Sequence, residues 1–248
     1  MHYQYDGSMA HDEVDIEQRA IAFAKANRTR IARELADVRA YPGEDAPVSV
    51  FMAGSPGAGK TEVSKALIAG FEDIGAKALR IDPDDLRTYF PEYTGNNSRL
   101  FQRAVNSIVE RLHDLVLEQR QSFLLDGTLS NEQVARRNVE RSLRRNRDIT
   151  IVYVYQDPLL AWEFVKAREL TEGRNIPKTE FIRQLFAAKD VVKRLKRSYR
   201  LQLKVDLIVK DTDGSNQAVE LNVDPDEIDA LVTFGYSAPE LDRILTEA

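Results

Sequence analysis

The sequence predicts an α/β fold: a parallel sheet with helices on both faces, an extra N-terminal helix and a small C-terminal helical tail. Three observations carry this. Short runs rich in β-branched and aromatic residues alternate with helical stretches of roughly ten or more residues, the pattern of right-handed βαβ crossovers. A glycine-rich segment joins the first of these strands to the helix that follows it. The 248 residues are 43% hydrophobic and 30% charged, enough for a sizeable core and too apolar for a disordered chain.

Residues 12–38 set Val14, Ile16, Ile21, Phe23, Ala24, Ile31, Leu35 and Val38 close to helical spacing, with Tyr41-Pro42-Gly43 closing the helix. The run 48–53 reads as a buried strand bounded by Gly54, and 78–81 as a short strand stopped by Asp82-Pro83. A helix over 97–121, with Leu100, Ala104, Ile108, Leu112 and Leu115 on one stripe, feeds a strand at 122–126. A helix at 131–146 leads to strand 149–155, and helical material over 159–200 leads to strand 206–210. A partner strand at 218–223 adds a small antiparallel edge. Asp224-Pro225-Asp226-Glu227 and Ser237-Ala238-Pro239-Glu240 then open two short helices with capping chemistry. The chain thus divides into a helical extension (1–46), the sheet domain (47–223) and a helical tail (224–248), all parts of one domain.

Composition excludes several chemistries. Cysteine is absent, which removes disulfides, thiolate metal sites and thiol nucleophiles and suits a cytoplasmic protein. The three histidines are scattered, and His113, in a helical stretch, is expected at a solvated position. A net charge of −5 disfavours broad electrostatic binding of nucleic acid or anionic membrane. No apolar run approaches the ~18 residues of a membrane span.

Gly54-Ser55-Pro56-Gly57-Ala58-Gly59-Lys60-Thr61 matches G-x-x-x-x-G-K-[ST] in full, between a strand and a helix. The glycines let successive backbone N–H groups turn toward phosphate oxygens, and the helix directs its positive dipole end at them. Lys60 would reach the β- and γ-phosphates and the Thr61 hydroxyl would ligate Mg²⁺. The sheet is therefore of the P-loop NTPase type and binds a nucleoside triphosphate. No Asn-Lys-x-Asp guanine-reading segment occurs, and Asp211-Thr212-Asp213-Gly214 reads as an ordinary turn, so a GTP switch is disfavoured. A small-molecule kinase needs an acceptor pocket and a carboxylate base besides the nucleotide site.

Ligands in doubly wound sheets bind beyond the carboxyl ends of the strands. Two acidic sites lie there: Asp82-Pro83-Asp84-Asp85 after the second strand, and Asp126 at the end of the third. The first is either a helix start, with Asp82 as N-cap and Pro83 at N1, or the seat of a base that takes the acceptor's proton. Asp126 either holds Mg²⁺ through water or grips the acceptor, the alternative being a cap for the next helix, for which Thr128 and Ser130 compete. Arg168 and Arg174 bracket a helix break at Thr171-Glu172-Gly173, where a lid could bring them over the transferring phosphoryl group. The run Arg136, Arg137, Arg141, Arg144, Arg145 and Arg147, and the stripe Lys189, Lys193, Lys196 and Arg200, read as mostly solvated faces.

Three segments, Phe51 through Thr61, Ile81-Asp82-Pro83-Asp84 and Leu125-Asp126-Gly127-Thr128, resemble the zeta toxin family in order and spacing. So does Ala167-Arg168-Glu169 followed by Gly173-Arg174-Asn175-Ile176-Pro177. The resemblance spans about residues 15–210. It implies an ATP- and Mg²⁺-dependent kinase that phosphorylates the 3′-hydroxyl of the amino sugar in UDP-N-acetylglucosamine and is restrained by a small antitoxin. By position Asp84 matches the base, Lys60 the phosphate-loop lysine, Arg168 and Arg174 the lid arginines, and Asp126 and Thr128 acceptor contacts, with Asp82 left as N-cap. Two positions depart from the pattern: Asp126 stands where the family often has Glu, and Ser130 where some members carry a basic residue. Rival readings are a kinase of another UDP-sugar, nucleotide cofactor or nucleoside, an ATP-dependent interaction switch, and a nucleic-acid kinase using the Arg136–Arg147 run.

Overall fold

The computed structural model describes residues 7–173 and 175–247. Strand β1 (Val48–Ala53) is central in a six-stranded sheet of order β2-β3-β1-β4-β5-β6. It pairs in parallel with β3 (Ser122–Leu125) on one side and β4 (Asp148–Tyr155) on the other, with Val50 level with Leu124 and Thr150. Strands β2 (Ala78–Ile81) and β5 (Lys204–Lys210) extend the parallel ladder outward. Among the described residues β6 (Asn216–Glu220) alone runs antiparallel, starting two residues and ending three before the expected 218–223.

Alternation along β1 sorts the layers. Val50 and Met52 join Leu124, Val152 and Ile208 against Val63 of α2 (Lys60–Asp73) and Ala58 of the loop before it. Phe51 and Ala53 point the other way, into a larger core with α3 (Gln102–Glu118), α4 (Glu132–Leu143) and α6 (Lys178–Tyr199). Side chains pointing to both faces are buried, so every central strand reads as a continuous apolar run. Helix α5 (Pro158–Glu172) packs on α6 and on the tail helix α8 (Ala238–Glu247) through Ala161, Val165, Phe181, Leu185 and Leu241. The short α7 (Pro225–Leu231) follows β6, with the Asp224 backbone N–H donating to Glu227 Oε2 at 2.6 Å.

Helix α1 (Gly7–Leu35) ends before Tyr41-Pro42-Gly43, with a turn between. It closes a separate cluster, Ala20, Ala24 and Ile31 on Leu86, Phe90, Leu100, Phe101, Ala104 and Ile108. That packing reshapes the expected 97–121 helix, whose first turn is a 3-10 turn at Ser98–Phe101 that tucks Leu100 and Phe101 inward. Among the described residues no helix is long and apolar enough to cross a membrane.

Candidate active site

The loop between β1 and α2 has a conformation that only its glycines permit. Gly57 sits at φ +76°, and a Cβ there would lie 2.0 Å from the Ala161 carbonyl oxygen on α5. Gly59 caps α2 from the left-handed region at φ 84°, freeing the first-turn N–H groups to point outward. Lys60 Nζ donates to the Ser55 carbonyl at 2.6 Å, which folds the ammonium back across the loop.

Beyond the strand ends a charged network stands behind this loop. Ser64, one turn after Thr61, lies 3.0 Å from the Thr61 carbonyl and 2.7 Å from Asp126 Oδ2, two acceptors for its one hydroxyl proton. Arg80 on β2 donates from Nε to Ser64 Oγ at 2.9 Å, from Nη2 to Asp126 Oδ2 at 2.8 Å and to Asp82, and from Nη1 to Asp85 at 2.9 Å. Burial pushes Asp82 up to about 6, while the Asp84 backbone N–H, donating to Asp82 Oδ1 at 2.8 Å, and Arg80 pull it the other way. Asp126 is 6% exposed, so its carboxylate is held almost entirely by protein.

Asp82 is not the N-cap expected of it: the element that follows is only the 3-10 turn Asp85–Tyr89, whose N-cap position is Asp84, and Asp82 Oδ1 instead accepts from the Asp84 backbone N–H just before that turn. Asp84, just before it, presents Oδ1 to the buried Arg87, whose Nη2 donates to Gln102 Oε1 at 2.9 Å. Asp126 caps no helix: Asn131 is the N-cap of α4, accepting from the Val134 N–H at 3.2 Å. The hydroxyls of Thr128 and Ser130 lie 2.9 Å apart.

A single cleft of about 1470 Å³ is lined by the loop from Pro56 to Thr61 together with Asp84, Asp126, Thr128 and Arg168. Gly54 and Ser55 are buried beneath it at the end of β1. Arg174 lies outside the described residues. Drug-sized ligands occupy roughly 300–1,000 Å³, so the cleft has room for a nucleotide and a second substrate. The Thr61 hydroxyl and the Asp126 carboxylate are hard oxygen donors on two residues lining the same cleft; Mg²⁺ takes one or two such groups and completes its shell with phosphate and water. The residues fit that ion.

Arg80, Arg87 and Ser64 were not marked by any motif. Their signals are local: a charged residue inside an otherwise apolar strand two positions before Asp82, and side chains three residues beyond Asp84 and Thr61, on the same helical face. Lys210, also on the cleft wall, reaches Gly59, its Cε 3.2 Å from where a Cβ would sit.

Three further expectations are corrected. His113 is 1% exposed, not solvated, and stands edge-on to Phe51 and Phe123. Arg141 Nη1 donates to its Nδ1 at 3.1 Å, so the neutral ring carries its proton on Nε2. Of the arginine run, Arg137, Arg144 and Arg145 are exposed and Arg136 half-buried, but Arg141 and Arg147 are buried; Arg147 donates to Ser49 Oγ at 2.7 Å and to the Gln121 carbonyl at 2.6 Å. In the lysine stripe, Lys196 is buried on the Leu203 carbonyl and Asn222, and Lys189 donates to the Val232 carbonyl at 2.6 Å. These cations close the ends of strands and helices in a part of the fold that composition alone cannot show to be covered.

His113 has a consequence for stability. Burial, aided by Arg141 and Arg147, pushes it down to about 3, below its unfolded value of about 6.5. The unfolded chain therefore binds the extra proton. Its contribution is complete above about pH 6.5 and is lost as pH falls toward 3. Urea titrations of His113→Phe against the parent chain should show a shallower loss of stability between pH 6.5 and 4; parallel curves would remove His113 from that role.

A phosphate loop after the central strand of a mainly parallel sheet, with a carboxylate turn and Arg168 of α5 on the same cleft, defines a kinase-type phosphotransferase. The zeta toxin family model matches residues 31–223, more than half of the chain, and the chain belongs to the zeta toxin family. Comparison with curated protein sequences gives no match. Among solved structures, a chain from the PezAT chromosomal toxin–antitoxin system of the human pathogen Streptococcus pneumoniae superposes with a TM-score of 0.64 at 17% identity, over 90% of this chain and 92% of that one. The AvrRxo1-ORF1:AvrRxo1-ORF2 complex, solved with ATP, gives 0.59 at 14% identity, over 90% of this chain and 73% of that one. At these identities the likeness is one of fold.

Proposed function

We propose that the chain is an ATP:UDP-N-acetylglucosamine 3′-phosphotransferase, acting in the cytoplasm as the toxin of a toxin–antitoxin pair. The observation that carries this reading is the shared cleft: Lys60 at one end, Asp84 on the turn after β2 and Arg168 on α5 face a volume fit for two substrates. Backbone N–H groups of the loop and Lys60 bind the β- and γ-phosphates. Asp84 orients the acceptor hydroxyl and takes its proton, and Arg168 with Arg174 offsets charge on the transferring group. Thr61 and Asp126 would hold Mg²⁺, which when bound neutralises charge on the phosphates. Thr128 and Asp126 lie where the acceptor sugar would rest. The structural neighbours, one from a toxin–antitoxin system and one a two-protein complex solved with ATP, support ATP as donor and a protein antitoxin as partner.

The test is direct. Purified protein incubated with ATP, Mg²⁺ and a panel containing UDP-N-acetylglucosamine, other UDP-sugars, nucleosides and an oligonucleotide is read by mass spectrometry. A phosphate gained by UDP-N-acetylglucosamine alone is expected. Transfer to another member replaces the acceptor, and no transfer to any returns the chain to an ATP-dependent interaction switch.

A further inference from the structure

At the carboxyl ends of β2 and β3 one guanidinium holds two arms of the site together. Arg80 stands level with Leu124 of β3, and the pairing continues past both strands, where the Asp126 backbone N–H donates to the Ile81 carbonyl at 2.8 Å. Side chains two residues apart on a strand share a face. Arg80 and Asp82 therefore project on the same side as Leu124 and Asp126, the side covered by α2. There the buried Ser64 meets Arg80 and Asp126.

The five N–H groups of a guanidinium lie in one rigid plane, and Arg80 commits four of them. Nε donates to Ser64 Oγ at 2.9 Å and Nη1 to Asp85 at 2.9 Å, while Nη2 divides its two protons between Asp126 Oδ2 at 2.8 Å and Asp82 Oδ2. On the first arm, Asp126 Oδ2 is taken by Arg80 and by the Ser64 hydroxyl at 2.7 Å. Among the described residues Asp126 Oδ1 accepts no hydrogen bond, so it is the oxygen that Asp126 has left to offer the cleft it lines. On the second arm, Asp82 passes the hold onward: Oδ2 meets Arg80, and Oδ1 accepts from the Asp84 backbone N–H at 2.8 Å.

We infer that Arg80 is a positioning residue for phosphate transfer. It fixes Asp126 so that Oδ1 serves the ion that Thr61 would share, and through Asp82 it sets the backbone of Asp84. The inference rests on the kinase reading above and deepens it: one planar group keeps a constant spacing between the proposed base and the ion-holding carboxylate. A lysine could supply the charge, but as a point charge on a flexible stem it could not supply the spacing.

Metal binding and turnover test the two arms separately in Arg80→Lys, Ser64→Ala and Asp82→Asn. Mn²⁺, standing in for Mg²⁺, is titrated by electron paramagnetic resonance in the presence of a non-hydrolysable ATP analogue, a readout that needs neither acceptor nor transfer. Losing a partner that orients a metal-holding side chain costs about 10–100-fold in affinity. Arg80→Lys should weaken Mn²⁺ binding by about that factor, and Ser64→Ala, which strips one of the two bonds from Oδ2, by a smaller one. Asp82→Asn has one oxygen where Asp82 uses two; it should lower kcat with the ATP KM unchanged and leave Mn²⁺ binding at the parent value. Arg80→Lys should show both losses. All titrations are made well below each variant's unfolding temperature, because an arginine that merely supports the fold would lower that temperature and leave the Mn²⁺ affinity of the folded chain alone. Parent-like Mn²⁺ binding in both Arg80→Lys and Ser64→Ala overturns the hold on Asp126, and parent-like kcat in Asp82→Asn overturns the hold on Asp84. Should Arg80→Lys fail to fold, the other two variants still decide one arm each. Should the parent chain transfer phosphate to no acceptor, the kinase reading fails on that result, and the Mn²⁺ titration decides the role of Arg80 at Asp126 on its own.

Discussion

Asp84→Asn is expected to lower the rate of phosphate transfer by about 10²–10⁴-fold, the contribution of a positioned general base, while sparing ATP binding. Asparagine keeps an oxygen for Arg87 and so preserves the turn; what it loses is the ability to accept a proton. The pairing of a base with an arginine is consistent with this chemistry. In a loose phosphoryl-transfer transition state the acceptor hydroxyl gives up its proton late, so the carboxylate's first task is to hold that hydroxyl in line. Arg87 fixes the carboxylate for that task. Pre-steady-state transfer measured beside calorimetric ATP binding checks the prediction: undiminished turnover removes Asp84 from the role, and lost ATP binding shows that the turn supports the nucleotide site instead.

The elements whose signal is local were legible in the sequence. The strand at 48–53 and the loop that leaves it could be read because a buried parallel strand is apolar along its whole length and the phosphate loop needs glycine at fixed places. Where the reading failed, tertiary cover decided. Helix α3 was read with one apolar stripe, yet it buries Val105, His113, Val116 and Leu117 besides that stripe, because α1 covers it on one side and the sheet on the other. A stripe argument made on one helix cannot know how many neighbours it has. Lys196 and Arg147 followed the same course, since a long basic side chain looks the same in sequence whether its head meets water or a strand-end carbonyl. In the site, the residues bearing family motifs were visible. Arg80, Arg87 and Gln102 were not, because their work is to orient other side chains, and only the fold brings those side chains to them.

Replacing Arg80 with Met should produce the largest stability loss in the site. Asp82 and Asp126 are 12% and 7% exposed at their side chains, and both share Arg80 Nη2. Without the guanidinium, two carboxylates at the foot of the cleft lose their common cation, and Ser64 loses the donor that fixes its hydroxyl toward Asp126 and Thr61. Breaking one side of a buried pair costs about 3–5 kcal/mol. The low end, about 3 kcal/mol, applies here, because the third partner, Asp85, is 71% exposed and is already screened by water. The diagnostic measurement is the double variant. If the cost comes from orphaned charge, Arg80→Met combined with Asp126→Asn should be more stable toward urea than Arg80→Met alone, by about 0.5–3 kcal/mol of coupling. If the arginine acted only by filling space, the second substitution would add its own loss. Turnover separates the two effects further. A neutral pair that restores stability leaves Asp126 without its charge, so activity should stay low in the stabilised double variant while its fold recovers.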